Sequence, residues 1–269
     1  MKSHLDYNLH SHTARCGHAI GLDYEYIDAA IEAGIKHLGF SDHIMLPGIV
    51  QEGIRGDYSV LGDYLASTTA LRDYYKEKIK INVGFEAEWY GDHFREYYEY
   101  LLSRPDVEYM ILGQHCFLGA DGRLHWYESL PREFRAKSYC HDLVAGMDSG
   151  LFTYVAHPDL YIRWNGAFDE TAEEVAHEIA RAAVRNKMPL EVNCGPSRYR
   201  SDVKNEDTLS YPCPRFWDVI SRYDIDVVIG VDAHNPKDYE ITDYDFFMSF
   251  VSRHGLHLLR QAPELRKKK

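Results

Sequence analysis

The 269-residue sequence is poor in the features that mark several large protein classes. It has five cysteines, Cys16, Cys116, Cys140, Cys194 and Cys213, scattered and without a Cys-x-x-Cys pair. An odd, dispersed set excludes a disulfide framework and a thiolate-based structural zinc site. No apolar run is long enough to cross a membrane, and the opening MKSHLDYNLH lacks the apolar stretch of a signal peptide. A cytoplasmic protein with no membrane partner is therefore expected. Positive charge is scarce as well: 30 Lys and Arg stand against 42 Asp and Glu, a net charge of −12. That balance disfavours long nucleic acid and anionic lipid as partners, and the closing RKKK reads as a solvated tail. Repeats, low-complexity stretches and linkers are absent, as is a Gly-rich phosphate turn after the first strand-like segment.

What is present is an ordinary globular composition, 45% hydrophobic and 27% charged, expected to form a single domain over 1–269. Short apolar runs at 5–10, 37–43, 79–89, 108–115, 151–157, 189–193 and 226–234 read as strands. Longer amphipathic patterns at 22–35, 58–78, 92–103, 131–150, 169–187 and 214–223 read as helices. Asp23 is a possible cap and Gly34 a stop for the first of them. Repeated βα alternation with Val/Ile/Leu-rich strands predicts an α/β fold whose parallel sheet closes, or nearly closes, into a barrel.

The 15 histidines are not spread evenly over that map. His10 and His12 end the first strand and His18 follows it. Asp42 and His43 end the second, Glu86 the third, His115 the fourth, His157 the fifth, and Asp232 with His234 the last. Carboxyl ends of barrel strands converge on the face where active sites of this architecture are built. Residues two apart on an extended segment point the same way, which pairs His10 with His12 and Asp232 with His234. Neutral imidazoles and carboxylates on one rim, with no thiolate in register, suit Zn²⁺, Mn²⁺ or Fe²⁺. The remaining histidines, His4, His37, His93, His125, His141, His177, His254 and His257, lie in helical or loop patterns and are expected to be structural or solvated.

The segments HSHTARCGHA, FSDH, GFEAE, GQH, AHPDL and GVDAH stand in the order of the polymerase-and-histidinol-phosphatase (PHP) family, which the chain resembles over nearly its whole length. The CGHA form makes it most similar to the histidinol-phosphate phosphatases of that family. The resemblance implies a distorted (β/α)7 TIM-like barrel and three divalent transition metals, Zn, Mn or Fe. One would be held by His10, His12, Glu86 and Asp232, a second by His18, His43 and His234. A third would be held by His115 and His157, with Glu86 bridging to the first; Glu88 is the alternative to Glu86. It also implies a small phosphorylated substrate, L-histidinol phosphate, hydrolysed by a metal-activated hydroxide in histidine biosynthesis. Three segments depart from the typical histidinol phosphatase: GQH for G-S-x-H, HPDL for H-L-D-L, and NCGPSR for N-T-A-G-L-R.

A poor alkoxide leaving group needs a proton, and Asp42, beside ligand His43, is the expected general acid; its other reading is to orient a ligand imidazole. Arg163 and Arg198 are expected to bind phosphate, with Arg55 and Arg200 read as solvated. Cys16, Cys116 and Cys194 are assigned packing roles, because no base accompanies them. The rival readings are a PHP enzyme for another small phosphoester, a metal-dependent amidohydrolase, and a PHP module without activity.

Overall fold

In the computed structural model, which describes residues 5–195 and 211–266, the apolar runs pair in parallel. Strands β1 (Tyr7–Asn8), β2 (His37–His43), β3 (Lys80–Ala87) and β4 (Tyr109–Leu112) lie side by side in that order. A short antiparallel hairpin follows, β5 (Cys116–Leu118) with β6 (Leu124–Trp126). The second half of the ring is β7 (Leu190–Asn193), β8 (Asp226–Gly230) and β9 (His257–Leu258), again parallel.

Two joins turn these sheets into a barrel. Val155 bridges Leu112 on one side and Leu190 on the other, so the 151–157 run is the expected fifth strand, reduced to isolated bridges. Ser11 bridges Ala233, with His12 N–H donating to the Ala233 carbonyl at 2.8 Å, which brings the ends of the first and last site strands together. The fold is the expected distorted (β/α)7 barrel. At the amino end of β8 a further parallel strand, β9, is added, and Tyr7 of β1 donates its hydroxyl to the Leu259 carbonyl beyond it.

Helices α1 (Asp23–Ala33), α2 (Leu61–Tyr75), α3 (Arg95–Ser103), α4 (Arg132–Asp148), α5 (Tyr161–Asn165), α6 (Glu170–Asn186), α7 (Pro214–Ile220), α8 (Asp238–Ile241) and α9 (Tyr244–Arg253) account for the rest. Local chemistry sets their ends. Asp169 caps α6 by accepting the Ala172 N–H, and Val175, Ala176, Ile179, Ala180 and Ala183 repeat at helical spacing on its buried side. Gly34 stops α1 as expected, at φ 91°, whereas Asp23 is the first helical residue rather than the cap and pairs with Arg15 at 2.8 Å.

The core is divided. The larger part lies between strands and helices; a smaller one, Tyr7, Leu9, Tyr109, Ile111, Tyr154, Ala156 and Val228, fills the barrel below the strand ends. Elements absent from the sequence reading are the hairpin, α5, α8, α9 and β9. The hairpin, α5, α8 and β9 are short; α9 is longer, and its buried Tyr244, Phe247, Phe250 and Val251 carry a helical spacing that the sequence reading missed. β9 leads into Leu259, Ala262 and Leu265, which cover the inner core.

Candidate metal centre

Register builds the site. His43 pairs directly with Glu86 across β2 and β3, and Ile44 donates its N–H to the Glu86 carbonyl, so both side chains emerge at one level. The bridge between Ser11 and Ala233 does the same for His12 and His234, whose rings stack 4.0 Å apart.

Glu86 is the hub. Its Oε2 lies 3.3 Å from His10 Nε2, 3.4 Å from His12 Nε2 and 3.2 Å from His43 Nδ1. Its Oε1 faces the other way, 2.7 Å from His157 Nε2 and 3.6 Å from His115 Nε2. Asp232 Oδ1 lies 3.4 Å from His10 Nε2 and 3.2 Å from His12 Nε2. A tetrahedral ion with bonds of about 2.0–2.1 Å separates its ligands by about 3.3–3.4 Å, so these four groups are spaced as a metal spaces them. The His18 ring sits 4.5 Å from that of His234 and 5.4 Å from that of His43, on the outer side of the cluster. All nine predicted residues thus come together.

The donor set fits cations better than it fits itself. Among the described residues, His10 Nε2, both ring nitrogens of His12, His43 Nδ1, His157 Nδ1 and His234 Nε2 are buried without a hydrogen-bond partner. Such orphaned groups are costly unless something else satisfies them. Burial pushes His12, His43 and His234 below the usual imidazole range, which keeps them neutral, the form that ligates metal. Burial acts the same way on His10, but Glu191, Asp232 and Glu86 outweigh it and raise that ring. Burial would also raise Glu86 and Asp232; the surrounding histidines hold both well below the carboxylate range.

Two expected ligands stand on strained backbone. His157 has φ 32° and Asp232 φ 53°, left-handed values that cost a non-glycine residue of order 1–3 kcal/mol and gather at functional sites. Glycine makes room elsewhere: a Cβ on Gly113 would fall 1.9 Å from Glu86 Oε1, and one on Gly230 2.1 Å from Glu191 Oε2. The glycines of GQH and GVD are therefore demanded by buried carboxylates on neighbouring strands.

Behind the cluster stand residues the sequence reading missed. Glu191 accepts from His10 Nδ1 at 2.9 Å, and Asn193 links Glu191 to Asp232 through Nδ2, at 2.6 and 3.2 Å. The signal was available: an acid and an amide in the otherwise apolar strand PLEVN. Glu88 lies within 3.3 Å of His115 Nδ1, not in the place of Glu86. Asp159, of HPDL, is buried and accepts from the Cys213 N–H and from Trp217 Nε1; burial pushes its carboxyl up to about 7. Gln114, where GQH departs from the family form, brackets Trp89, Cys116 and Tyr127 and does not enter the cluster.

Asp42 is fully buried, accepts both the N–H and the hydroxyl of Thr13 at 2.5 Å, and stands 3.8 Å from His12 Nδ1, the ring edge turned away from Glu86. Burial raises its carboxyl to about 7 against those two hydrogen bonds. Arg163 is exposed on α5, shortly after His157, and makes no ion pair among the described residues. Arg198 and Arg200 lie outside the described residues. Arg55 corrects its reading: it is 3% exposed and paired with the buried Glu88 carboxylate at 2.7 Å. All five cysteines are buried, as packing roles require, although Cys16 lies within 4.8 Å of ligand atoms of His18 and His234. Of the histidines set aside, His37, His125, His141, His177, His254 and His257 have local partners away from the cluster, and His4 is outside the described residues.

The PHP domain model matches residues 8–195, most of the chain and the greater part of this site. The chain belongs to the PHP family. Among its curated relatives is a probable histidinol-phosphatase of Deinococcus radiodurans, 28% identical over 84% of this chain and 85% of that protein. A histidinol-phosphatase of Lactococcus lactis is 25% identical over 87% of this chain and 85% of its own length. Among solved structures, the L. lactis histidinol phosphate phosphatase complexed with zinc, L-histidinol and phosphate superposes with a TM-score of 0.71 at 18% identity, covering 98% of this chain and 99% of that one. The putative histidinol phosphatase of Listeria monocytogenes follows at 0.65 and 17%, covering 86% of this chain and 96% of that one. These PHP proteins share the barrel described above. PHP proteins are metal-dependent, and zinc is the metal in the L. lactis structure. No helix among the described residues is long and apolar enough to cross a membrane.

Proposed function

We propose that this PHP protein is a metal-dependent phosphomonoesterase that hydrolyses L-histidinol phosphate to L-histidinol and phosphate, a step of histidine biosynthesis. One observation carries the metal chemistry: a single buried carboxylate, Glu86, divides its two oxygens between two groups of imidazoles, His10, His12 and His43 on one side and His157 and His115 on the other. The substrate assignment is supported by the relatives named histidinol-phosphatase that match most of this chain.

The reading places three divalent ions, Zn, Mn or Fe. His10, His12, Glu86 and Asp232 would hold the first, His18, His43 and His234 the second, and His115 and His157 with Glu86 the third. Bound there, the ions supply charge neutralisation and a water acidified to a pKa of roughly 7. The chain supplies the rest. Glu191 fixes the His10 ring through Nδ1, so Nε2 is presented to the cluster. Arg163, exposed on α5 and without an ion pair among the described residues, is the arginine proposed to receive the phosphate, with Arg198 as its expected companion.

Arg163→Ala should lower kcat/KM for histidinol phosphate by roughly one to two decades, the worth of a charged hydrogen bond of about 1.5–3 kcal/mol. The same assay compares histidinol phosphate with p-nitrophenyl phosphate and a simple phosphodiester. Preference for the diester would leave the metal centre standing and overturn the substrate.

Asp42 can serve as acid or as support. Its burial and its two bonds to Thr13 favour support: holding the HSHT turn and the back of His12. Asp42→Asn should then slow histidinol phosphate and p-nitrophenyl phosphate by a similar factor, about 10–100-fold. A loss of roughly 10²–10⁴ confined to histidinol phosphate, whose leaving group needs the proton, would make Asp42 the acid.

A further inference from the structure

Two glutamates, Glu86 and Glu88, stand two residues apart at the end of β3, both buried, and only Glu86 is turned to the histidine cluster. We propose that Arg55 decides this: it captures Glu88 as the hydrogen-bond acceptor for His115 Nδ1, making Arg55 and Glu88 a positioning pair for the third metal. The inference rests on the three-metal reading above.

The geometry is specific. Glu88 Oε1 takes both Arg55 Nη2 at 2.7 Å and His115 Nδ1 at 3.3 Å. With its Nδ1 proton committed to Glu88, His115 has Nε2 left as a lone-pair donor, and that nitrogen is the one facing Glu86 Oε1, at 3.6 Å. Among the described residues Glu88 Oε2 is buried with no hydrogen-bond partner, so without Arg55 the carboxylate would be a spare anion beside the cations.

Arg55 is held at several points. Nη1 donates to the Ile44 carbonyl at 3.0 Å, Nε to Gln51 Oε1 at 2.8 Å, and Nη2 also reaches the Tyr90 hydroxyl at 3.4 Å. Ile44 follows His43, so one guanidinium ties the chain beside a ligand of the second metal to the support of a ligand of the third. Four of its five N–H groups are thus committed within the protein.

The test is metal retention, which does not depend on the substrate. Zinc-replete wild type, Glu88→Gln, Arg55→Met and the double variant are equilibrated with graded chelator, and zinc per chain is measured by elemental analysis. Glu88→Gln keeps the shape and an acceptor oxygen, and should release one zinc of three at roughly 10–100-fold lower chelator strength, with the other two unmoved. Arg55→Met should shift the same zinc further, since it leaves Glu88 unneutralised, and the double variant should return to the level of Glu88→Gln. Unchanged release in Glu88→Gln, equal weakening of all three ions, or additive effects in the double variant would each overturn the inference. If Arg55→Met fails to fold, Glu88→Gln alone decides by whether one ion or all are loosened. A wild type holding fewer than three zincs overturns the three-metal reading and this inference together.

Discussion

Glu86→Gln is expected to reduce the metal content from about three ions per chain to about one, and to reduce hydrolysis of histidinol phosphate by more than about 10³-fold. The carboxylate is shared: Oε2 lies within 3.2–3.4 Å of three imidazole nitrogens and Oε1 within 2.7–3.6 Å of two others. An amide keeps the volume but carries no charge, and its NH₂ end turns a donor toward nitrogens that must themselves be donors of lone pairs. Removing one preorganised transition-state contact already costs about 10²–10³-fold in other enzymes, and here two metal positions go with one side chain. Elemental analysis of protein prepared without chelator gives the count, and kcat/KM gives the rate. Retention of three ions by Glu86→Gln would mean that Glu86 is not the bridge.

Removal of the metals should destabilise the whole barrel. Without cations the site is a pocket of buried carboxylates and orphaned imidazole nitrogens, held partly on left-handed backbone at His157 and Asp232. A ligand that binds only the folded state stabilises it by about 4 kcal/mol at a thousand times its Kd. In a chain of this size, about 1 kcal/mol corresponds to roughly 2–4 °C, so even one tightly held ion is worth about 8–16 °C in Tm. Differential scanning of metal-replete and chelator-stripped protein measures it, and Zn²⁺ added back should restore the midpoint. An unchanged Tm in protein shown to be stripped would argue that these residues form a self-satisfied polar core.

Much of this was legible in the chain itself. Alternation of apolar runs with amphipathic segments specified a parallel barrel, because strands buried on both faces must be apolar throughout and helices must cover them. The placement of nine His, Asp and Glu residues at strand ends specified the site, because barrel topology carries every strand's carboxyl end to one face. Those are consequences of period and position, which sequence records directly.

Tertiary structure decided the rest, through contacts between residues far apart in the chain. Whether Arg55 was a rim cation or a buried partner depended on where the 47–57 loop lies, and only folding set it against Glu88 at 2.7 Å. The choice between Glu86 and Glu88 followed from that pairing, and the support of His10 by Glu191 spans 181 positions. The glycines of GQH and GVD could be read only as turn residues until the carboxylates opposite them were in view. β9 likewise has too short a pattern to announce itself, and leads into Leu259, Ala262 and Leu265, which cover the inner core at the foot of the barrel. Local propensity writes the elements and the rim; which polar groups satisfy one another in the interior is settled by packing, since burial leaves each of them few partners within reach.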